Sequence, residues 1–173
     1  MGAGIFGFLI NLPVVSYYEI GTALTANHAH GAMMGVYGML AVGLAMFAFR
    51  YVIPPQKWPD RLARISFWCM NIGLAWMVFA TLLPLGVMQL YHSVGEGYFE
   101  ARSLGYITKP GNSLLEWLRL PGDAIMIVGG VVPFVWIAWT ALRNFRSGTT
   151  VEELPEHPLY TETAAGATAS AKG

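Results

Sequence analysis

Long apolar runs, separated by short charged stretches, constrain the fold of this chain more than any other feature. A helix needs about 20 mostly apolar residues to cross the roughly 30 Å of hydrocarbon in a bilayer. Four segments meet or approach this length, at about residues 3–18, 25–52, 61–91 and 121–145. Because backbone in lipid must satisfy its own hydrogen bonds, we expect an all-α, multi-pass transmembrane helix bundle. The composition agrees, since 55% of the 173 residues are hydrophobic and only 12% are charged.

Breaking and capping residues mark the ends of these segments. The pair that begins at Pro54 ends the second segment, and Asp60 precedes the third. Pro84 and Pro133 lack an N–H group, so we expect each to bend the helix that contains it. Asp123, next to the start of the fourth segment, predicts a cap for the free N–H groups there.

The remaining parts of the chain predict an outer loop and a tail. Residues 92–120 mix charged and aromatic side chains, which favours an amphipathic stretch on the outer membrane surface, with His92 at the interface. Residues 147–173 are rich in Ala, Thr, Gly and Glu, which predicts a disordered cytoplasmic tail and a solvated His157. The predicted organisation is a membrane unit over residues 1–146 followed by this tail.

The basic residues predict the orientation, because loops on the cytoplasmic side carry an excess of Lys and Arg. One side of the predicted bundle has seven, namely Arg50, Lys57, Arg61, Arg64, Arg143, Arg146 and Lys172. The other side has three, namely Arg102, Lys109 and Arg119. This count puts the C-terminus in the cytoplasm and residues 25–30 near the outer face. With a net charge of zero and no basic stripe, the sequence argues against nucleic-acid binding.

Two histidines, His28 and His30, stand near the start of the second apolar segment, in TANHAHGAMMGVYG. Each residue of a helix turns by about 100°, so positions two apart differ by about 200°. The two imidazoles should therefore leave opposite sides of the helix and serve two sites, since they cannot bind one ion. Polar groups at membrane depth need a partner or a metal.

Small residues follow these histidines: Ala29, Gly31, Ala32, Gly35 and Gly38. They admit a flat, bulky group such as haem, for which neutral imidazole is a common ligand. They also suit close helix packing, with the histidines hydrogen-bonded to neighbouring helices. Composition and spacing leave both interpretations open. Nearby, Asn27 is expected to cap the histidine helix, Glu19 is expected to be a solvated loop carboxylate, and Cys69 is expected to be a buried filler.

The motifs NHAHGAMMGVYGML and YHSVGEGYFEARSLGY carry a family resemblance. Over about residues 3–145, the chain resembles the C-terminal third of the catalytic subunit of quinol-dependent nitric oxide reductase, a branch of the haem-copper oxidase superfamily. The resemblance implies that the four segments are the last four core helices of that fold. It further implies that His28 binds the high-spin haem b3 and that His30 is one axial ligand of the low-spin haem b. Arg102 and Arg119 would be cationic partners of the haem propionates or of lipid headgroups.

The resemblance also implies a reaction that needs more than this chain. Electrons from quinol would pass through both haems to a non-haem iron, where two NO molecules would become N2O and water, in the bacterial cytoplasmic membrane. The second haem b ligand and the ligands of the non-haem iron would come from earlier helices. We therefore expect a fragment or one piece of a split gene, inactive alone and completed by the missing N-terminal portion.

Three alternatives remain at this stage. The chain resembles a segment of an oxygen-reducing terminal oxidase equally well in its histidine pattern, because the distinguishing metal ligands would lie elsewhere. It could also be a small, non-catalytic membrane subunit in which the histidines only hold helices together. The third alternative is an electron carrier in which His30 from two copies binds one haem.

Overall fold

A computed structural model describes residues 2–147, with side chains from residue 4 onward, and this range contains helices and no strand. The all-α fold class is therefore confirmed. The helices are α1 (Gly2–Ile10), α2 (Pro13–Glu19), α3 (Ala23–Phe49), α4 (Asp60–Glu96), α5 (Leu104–Ile107) and α6 (Pro110–Arg146). Short 3-10 turns lie at Pro55–Lys57 and Glu100–Arg102. From residue 148 onward, the predicted tail and His157 lie outside the described residues.

Three of these helices are long and apolar enough to cross a membrane. Helix α3 has 27 residues, and α4 and α6 have 37 each. This length and composition support the membrane location predicted from the sequence. The first predicted segment, 3–18, differs from expectation because it forms two short helices, α1 and α2, instead of one.

Pro13 explains the break between α1 and α2. The residue before a proline avoids helical geometry, and Leu12 is accordingly extended, with ψ of 132°. Pro13 then begins α2, where its missing N–H is harmless. At the end of α1, the carbonyl of Gly7 accepts two hydrogen bonds from Asn11, one from its side-chain amide at 2.6 Å and one from its backbone N–H at 3.2 Å.

The last helix begins earlier than the sequence suggested. Helix α6 starts at Pro110, not near residue 121, so part of the expected outer loop is helical. Asp123 lies inside this helix and does not cap it. Its carboxylate is 3.5 Å from Nε of Arg119, one turn earlier, so its charge is used in an i,i+4 ion pair.

Helices α4 and α6 each widen into a π-helical stretch just before a proline. Trp76–Leu82 precedes Pro84, and Ile125–Val131 precedes Pro133. Proline cannot donate to the preceding turn and its ring collides with the carbonyl there, and a wider turn relieves both problems. The irregularities therefore lie where the prolines predicted them. Helix α3 has a third such stretch, His30–Gly38, which contains no proline.

Glycines allow the long helices to approach closely. A Cβ added to Gly73 of α4 would lie 2.7 Å from the carbonyl oxygen of Gly122 in α6. A Cβ on Gly86 of α4 would lie 2.5 Å from the backbone nitrogen of Leu24 in α3. These crossings hold α3, α4 and α6 together around an apolar cluster of Met70, Met77, Leu82 and Met126. The small residues thus serve helix packing at these crossings.

At one end of the bundle, the loop after α3 packs against the C-terminal part of α6. Ile53, Ile137 and Ala141 are buried together there. At the other end, the Arg102 side chain reaches the turn that precedes α3. The grouping of basic residues used for the orientation is therefore consistent with the packing. Which end faces the cytoplasm stays a prediction.

Candidate haem-ligand site on helix α3

His28 and His30 direct their imidazoles toward different helices. His28 lies in the first turns of α3, and its ring centroid is 6.1 Å from that of Phe6 in α1. His30 begins the π-helical stretch, and its Nε2 lies 3.4 Å from a terminal nitrogen of Arg119 in α6. The two rings therefore do not converge on one pocket, as the helical spacing predicted. Their assignment as ligands stays a prediction.

The hydrogen bond from His30 to a backbone carbonyl fixes which ring nitrogen carries the proton. Nδ1 lies 2.7 Å from the carbonyl oxygen of Ala26, one turn earlier. A carbonyl oxygen can only accept, so Nδ1 carries the proton and donates it in this bond. Nε2 of the neutral ring then keeps its lone pair. This is the tautomer that an imidazole needs in order to bind a metal, with the second nitrogen held by a backbone carbonyl.

His28 lines a cavity of about 420 Å³ between α1, α3 and α4. The wall is mostly apolar and includes Phe6, Gly31, Leu74, Val78 and Phe79. Cavities of this size and character are typical of small-molecule and cofactor sites. Nδ1 of His28 is buried and has no hydrogen bond. A buried polar atom of this kind needs a partner, and this need is part of what makes the cavity a candidate site.

Each glycine near the histidines has its own environment. A Cβ added to Gly31 would meet nothing within 4 Å, so this glycine leaves the cavity open. A Cβ on Gly35 would lie 3.2 Å from the side chain of Leu74, so this glycine serves packing against α4. Gly7 of α1 lies directly against the imidazole of His28, where a Cβ would be 2.5 Å from Cε1. Room for a bound group and room for helix packing therefore both occur along α3.

The cap of α3 is Thr22, and the expectation for Asn27 was wrong. The Thr22 hydroxyl accepts a hydrogen bond of 3.2 Å from the backbone N–H of Leu24. Asn27 lies within the helix, is only 6% exposed and lines the same cavity as His28. Its Oδ1 is buried without a hydrogen-bond partner. Sequence reasoning missed this position, although an amide beside a membrane histidine was an available signal.

Glu19 is buried, which corrects the expectation of a solvated loop carboxylate. It is only 3% exposed and accepts a hydrogen bond of 3.1 Å from the hydroxyl of Thr25. Burial raises the pKa of Glu19 above its usual value, while the bond from Thr25 and the charges of His28 and Arg102 oppose the rise. A loop position alone could not reveal this burial, because it results from the packing of α2 against α4.

Arg102 joins the segment after α4 to the turn between α2 and α3. Its Nε donates to the carbonyl of Ile20 at 3.1 Å, and one terminal nitrogen donates to the same carbonyl and to that of Tyr18 at 3.1 Å. The other terminal nitrogen donates to the carbonyl of Tyr98 at 2.5 Å and to the hydroxyl of Ser93 at 3.4 Å. These bonds engage all three nitrogens of the guanidinium. Its predicted propionate role stays a prediction beside this observed structural one.

Arg119 is the basic residue that the fold brings to His30. Its Nη2 donates a hydrogen bond of 3.4 Å to Nε2 of the imidazole. Its Nε lies within ion-pair distance of Asp123 but is buried without a hydrogen bond. A cation with unused donors beside a candidate ligand suits an anionic partner, and the propionate role of Arg119 stays a prediction.

His92 and Cys69, the other residues considered in the sequence, pack against neighbouring residues. The His92 ring stacks on that of buried Tyr106, with centroids 4.0 Å apart. Cys69 is partly buried at the crossing of α4 and α6, where a Cβ on Gly129 would lie 2.5 Å from its sulfur. Within residues 2–147, no three His, Cys, Asp or Glu side chains come together in a group that could hold a metal ion.

Two comparisons with known proteins agree with this architecture. The family model described as cytochrome c and quinol oxidase polypeptide I matches residues 1–132. A nitric oxide reductase subunit of Stutzerimonas stutzeri is 35% identical over 134 residues, which are 75% of this chain and 28% of that relative. The chain thus spans 28% of the length of the curated relative. The resemblance seen in the sequence is confirmed, and the chain belongs to the cytochrome c and quinol oxidase polypeptide I family.

Proposed function

We propose that this chain is the haem-binding C-terminal segment of a membrane nitric oxide reductase. His28 binds the high-spin haem b3 and His30 binds the low-spin haem b. The observation that carries this proposal is the pair of imidazoles that leave one helix toward α1 and α6, respectively. The sequence similarity to the nitric oxide reductase of Stutzerimonas stutzeri favours this reductase over other members of the family.

The residues fit a haem at each histidine. The bond from His30 Nδ1 to Ala26 orients the ring and leaves Nε2 as the coordinating atom. At His28, the cavity offers mostly apolar walls beside a ring whose Nδ1 is buried and unpaired. A haem iron supplies reversible one-electron chemistry when it is bound. The protein contributes the ligand, its orientation and an environment from which the hydrocarbon-like walls exclude water.

The full reaction requires partners beyond this chain. We propose that an N-terminal portion supplies the second ligand of haem b and the ligands of a non-haem iron. In the assembled enzyme, two NO molecules, two protons and two electrons from quinol yield N2O and water. We also propose that the enzyme lies in the bacterial cytoplasmic membrane among lipids, with the end that holds Arg143 and Arg146 on the cytoplasmic side. The isolated chain is inactive.

The optical spectrum of the assembled enzyme tests the ligand assignment. The enzyme is purified in detergent through a tag on this chain, and reduced-minus-oxidised spectra are compared for the native protein, His28→Ala and His30→Ala. Each substitution is expected to remove one of the two haems and to leave the other. If both variants retain both haems, neither histidine is the ligand and the proposal is wrong.

Gas consumption on the same samples decides between a nitric oxide reductase and an oxygen-reducing oxidase. The family description includes oxidases, so an oxygen-reducing enzyme is the second candidate. NO consumption with quinol as donor supports nitric oxide reduction, whereas O2 consumption without NO consumption supports the oxidase. A folded, colourless assembly with no Soret band would instead show a non-catalytic membrane subunit. One haem for every two copies of this chain would show the dimeric carrier.

A further inference from the structure

Positive charge is concentrated at the end of the bundle where the loop after α3 packs against α6. Ile53 in this loop is 1% exposed and packs with buried Ile137 and Ala141, so the loop is held against the helix. Six exposed basic residues from these two distant segments form the basic end: Arg50, Lys57, Arg61, Arg64, Arg143 and Arg146. Within residues 2–147, they are accompanied by one carboxylate, that of Asp60, so the net charge of this end is +5.

Asp60 neutralises only part of this charge. Its two carboxylate oxygens lie 3.0 Å from a nitrogen of Arg64 and 3.9 Å from one of Arg50. The Arg50 guanidinium also lies over the ring of Trp58, 4.8 Å from its centroid. Among the described residues, the other four cations of the basic end form no ion pair: Lys57, Arg61, Arg143 and Arg146. Four exposed cations are therefore open to an anionic partner.

The opposite end of the bundle has the reverse balance of charge. Its three basic residues are Arg102, Lys109 and Arg119, and its five carboxylates are those of Glu19, Glu96, Glu100, Glu116 and Asp123. The formal net charge of this end is thus −2 over the described range. Arg102 already donates to backbone carbonyls, and Arg119 lies within ion-pair distance of Asp123. Exposed, unpaired positive charge is therefore a property of the basic end.

We propose that the basic end binds the headgroups of anionic phospholipids. Helices α3, α4 and α6 are long and apolar enough to cross a membrane, so the residues at their ends lie at the depth of the headgroups. Tyr51, which is exposed beside Arg50, is an amphipathic aromatic residue typical of this depth. A guanidinium donates two parallel hydrogen bonds to a phosphate group, which suits the three unpaired ion-forming arginines of this end. Each Lys or Arg near an anionic bilayer surface strengthens binding by about fivefold.

The acidic residues that follow α6 are the competing anions. Glu152, Glu153 and Glu156 come soon after Arg146 in the sequence and lie outside the described residues. Lipid phosphates are the better match, because the apolar spans place the basic end against the bilayer surface, where anionic headgroups are concentrated. Segment 148–173 has four carboxylates and one lysine, fewer negative charges than the basic end can neutralise.

Native mass spectrometry of the assembled enzyme tests the proposal. The enzyme in detergent is titrated with phosphatidylglycerol, which is anionic, or with phosphatidylcholine of the same acyl chains, which is neutral overall. The native enzyme is expected to bind the anionic lipid more tightly. Lys57→Gln with Arg61→Gln removes two cations from one segment, and Arg143→Gln with Arg146→Gln removes two from the other. Each pair should weaken phosphatidylglycerol binding by about 25-fold, at about fivefold per charge, and leave phosphatidylcholine binding unchanged.

Lys109→Gln is the matched control, because it removes an exposed cation from the opposite end. It should keep the native preference, as should Arg61→Lys with Arg143→Lys, which preserves the charge. Equal affinity of the native enzyme for the two lipids would overturn the proposal, as would a native preference in both Gln pairs.

A separate variant tests the competing anions. If the native enzyme shows no preference and Glu152→Gln with Glu153→Gln and Glu156→Gln creates one, the acidic segment occupies the basic end and the proposal is wrong. None of these measurements depends on haem ligation, so failure of the proposed function would leave their interpretation unchanged.

Discussion

Gly7 lies where α1 meets the imidazole of His28, so the methyl group added by Gly7→Ala should displace that ring. The added Cβ would lie 2.5 Å from Cε1, 3.0 Å from Nε2 and 3.3 Å from Nδ1. Carbon atoms in ordinary contact are about 3.5–4.0 Å apart, so the ring or α1 must move by about 1 Å. Overpacking of this kind costs about 1–3 kcal/mol. A displacement of about 1 Å also exceeds the roughly 0.5 Å within which a functional ligand must be held.

The expected result is selective loss at one haem. If His28 holds the high-spin haem, as proposed above, Gly7→Ala should weaken its binding in the assembled enzyme by about fivefold to 150-fold, the affinity change that corresponds to this range of energy. The low-spin haem should remain, because the contacts of His30 are with Ala26 and Arg119, away from α1. Haem content per polypeptide and the ratio of high-spin to low-spin signals in electron paramagnetic resonance measure the two sites separately.

Gly4→Ala on the same helix is the matched control. A Cβ at this position would meet nothing within 4 Å, so both haems should bind as in the native enzyme. Full high-spin haem in Gly7→Ala, with an unchanged spectrum and potential, would show that His28 does not rest against Gly7. Equal losses in the two variants would show that α1 tolerates no alanine, and the steric reasoning about the imidazole would be refuted.

Three further substitutions test the structure around the site. Arg102→Lys replaces a planar guanidinium that holds several carbonyls, so we expect destabilisation by about 3 kcal/mol, measured as a lower thermal midpoint in detergent; an unchanged midpoint would contradict the observed contacts. Gly86→Ala would place a Cβ 2.5 Å from the backbone of Leu24 and should destabilise by about 1–3 kcal/mol, whereas Gly95→Ala, in open space, should not. Burial raises the pKa of Glu19, so folding favours its protonated form, and the stability that it contributes is lost as the pH rises from the unfolded pKa through the higher folded pKa. Glu19→Gln should flatten the pH dependence of the thermal midpoint in that window, and an identical dependence in both proteins would argue against a buried carboxylate.

Local rules applied to the sequence were enough for the fold class and for the divergence of the histidines. The lengths of the apolar runs indicated membrane helices because a helix must satisfy its own backbone in lipid. The two-residue spacing of His28 and His30 separated their directions because each helical residue turns by about 100°. Pro84 and Pro133 marked two irregularities for an equally local reason, the missing N–H. These features depend on chain geometry alone, so no knowledge of neighbouring helices was needed.

The surroundings of the site depended on which helices meet, and only the tertiary structure decided them. Glu19 is buried because α2 packs against α4, and the Arg102 side chain is taken up by carbonyls distant in sequence. Asn27 lines the His28 cavity and does not cap the helix as expected, since Thr22 is the capping residue. A local pattern states what a side chain is able to do, but burial and hydrogen-bond partners are set by contacts between segments far apart in the chain.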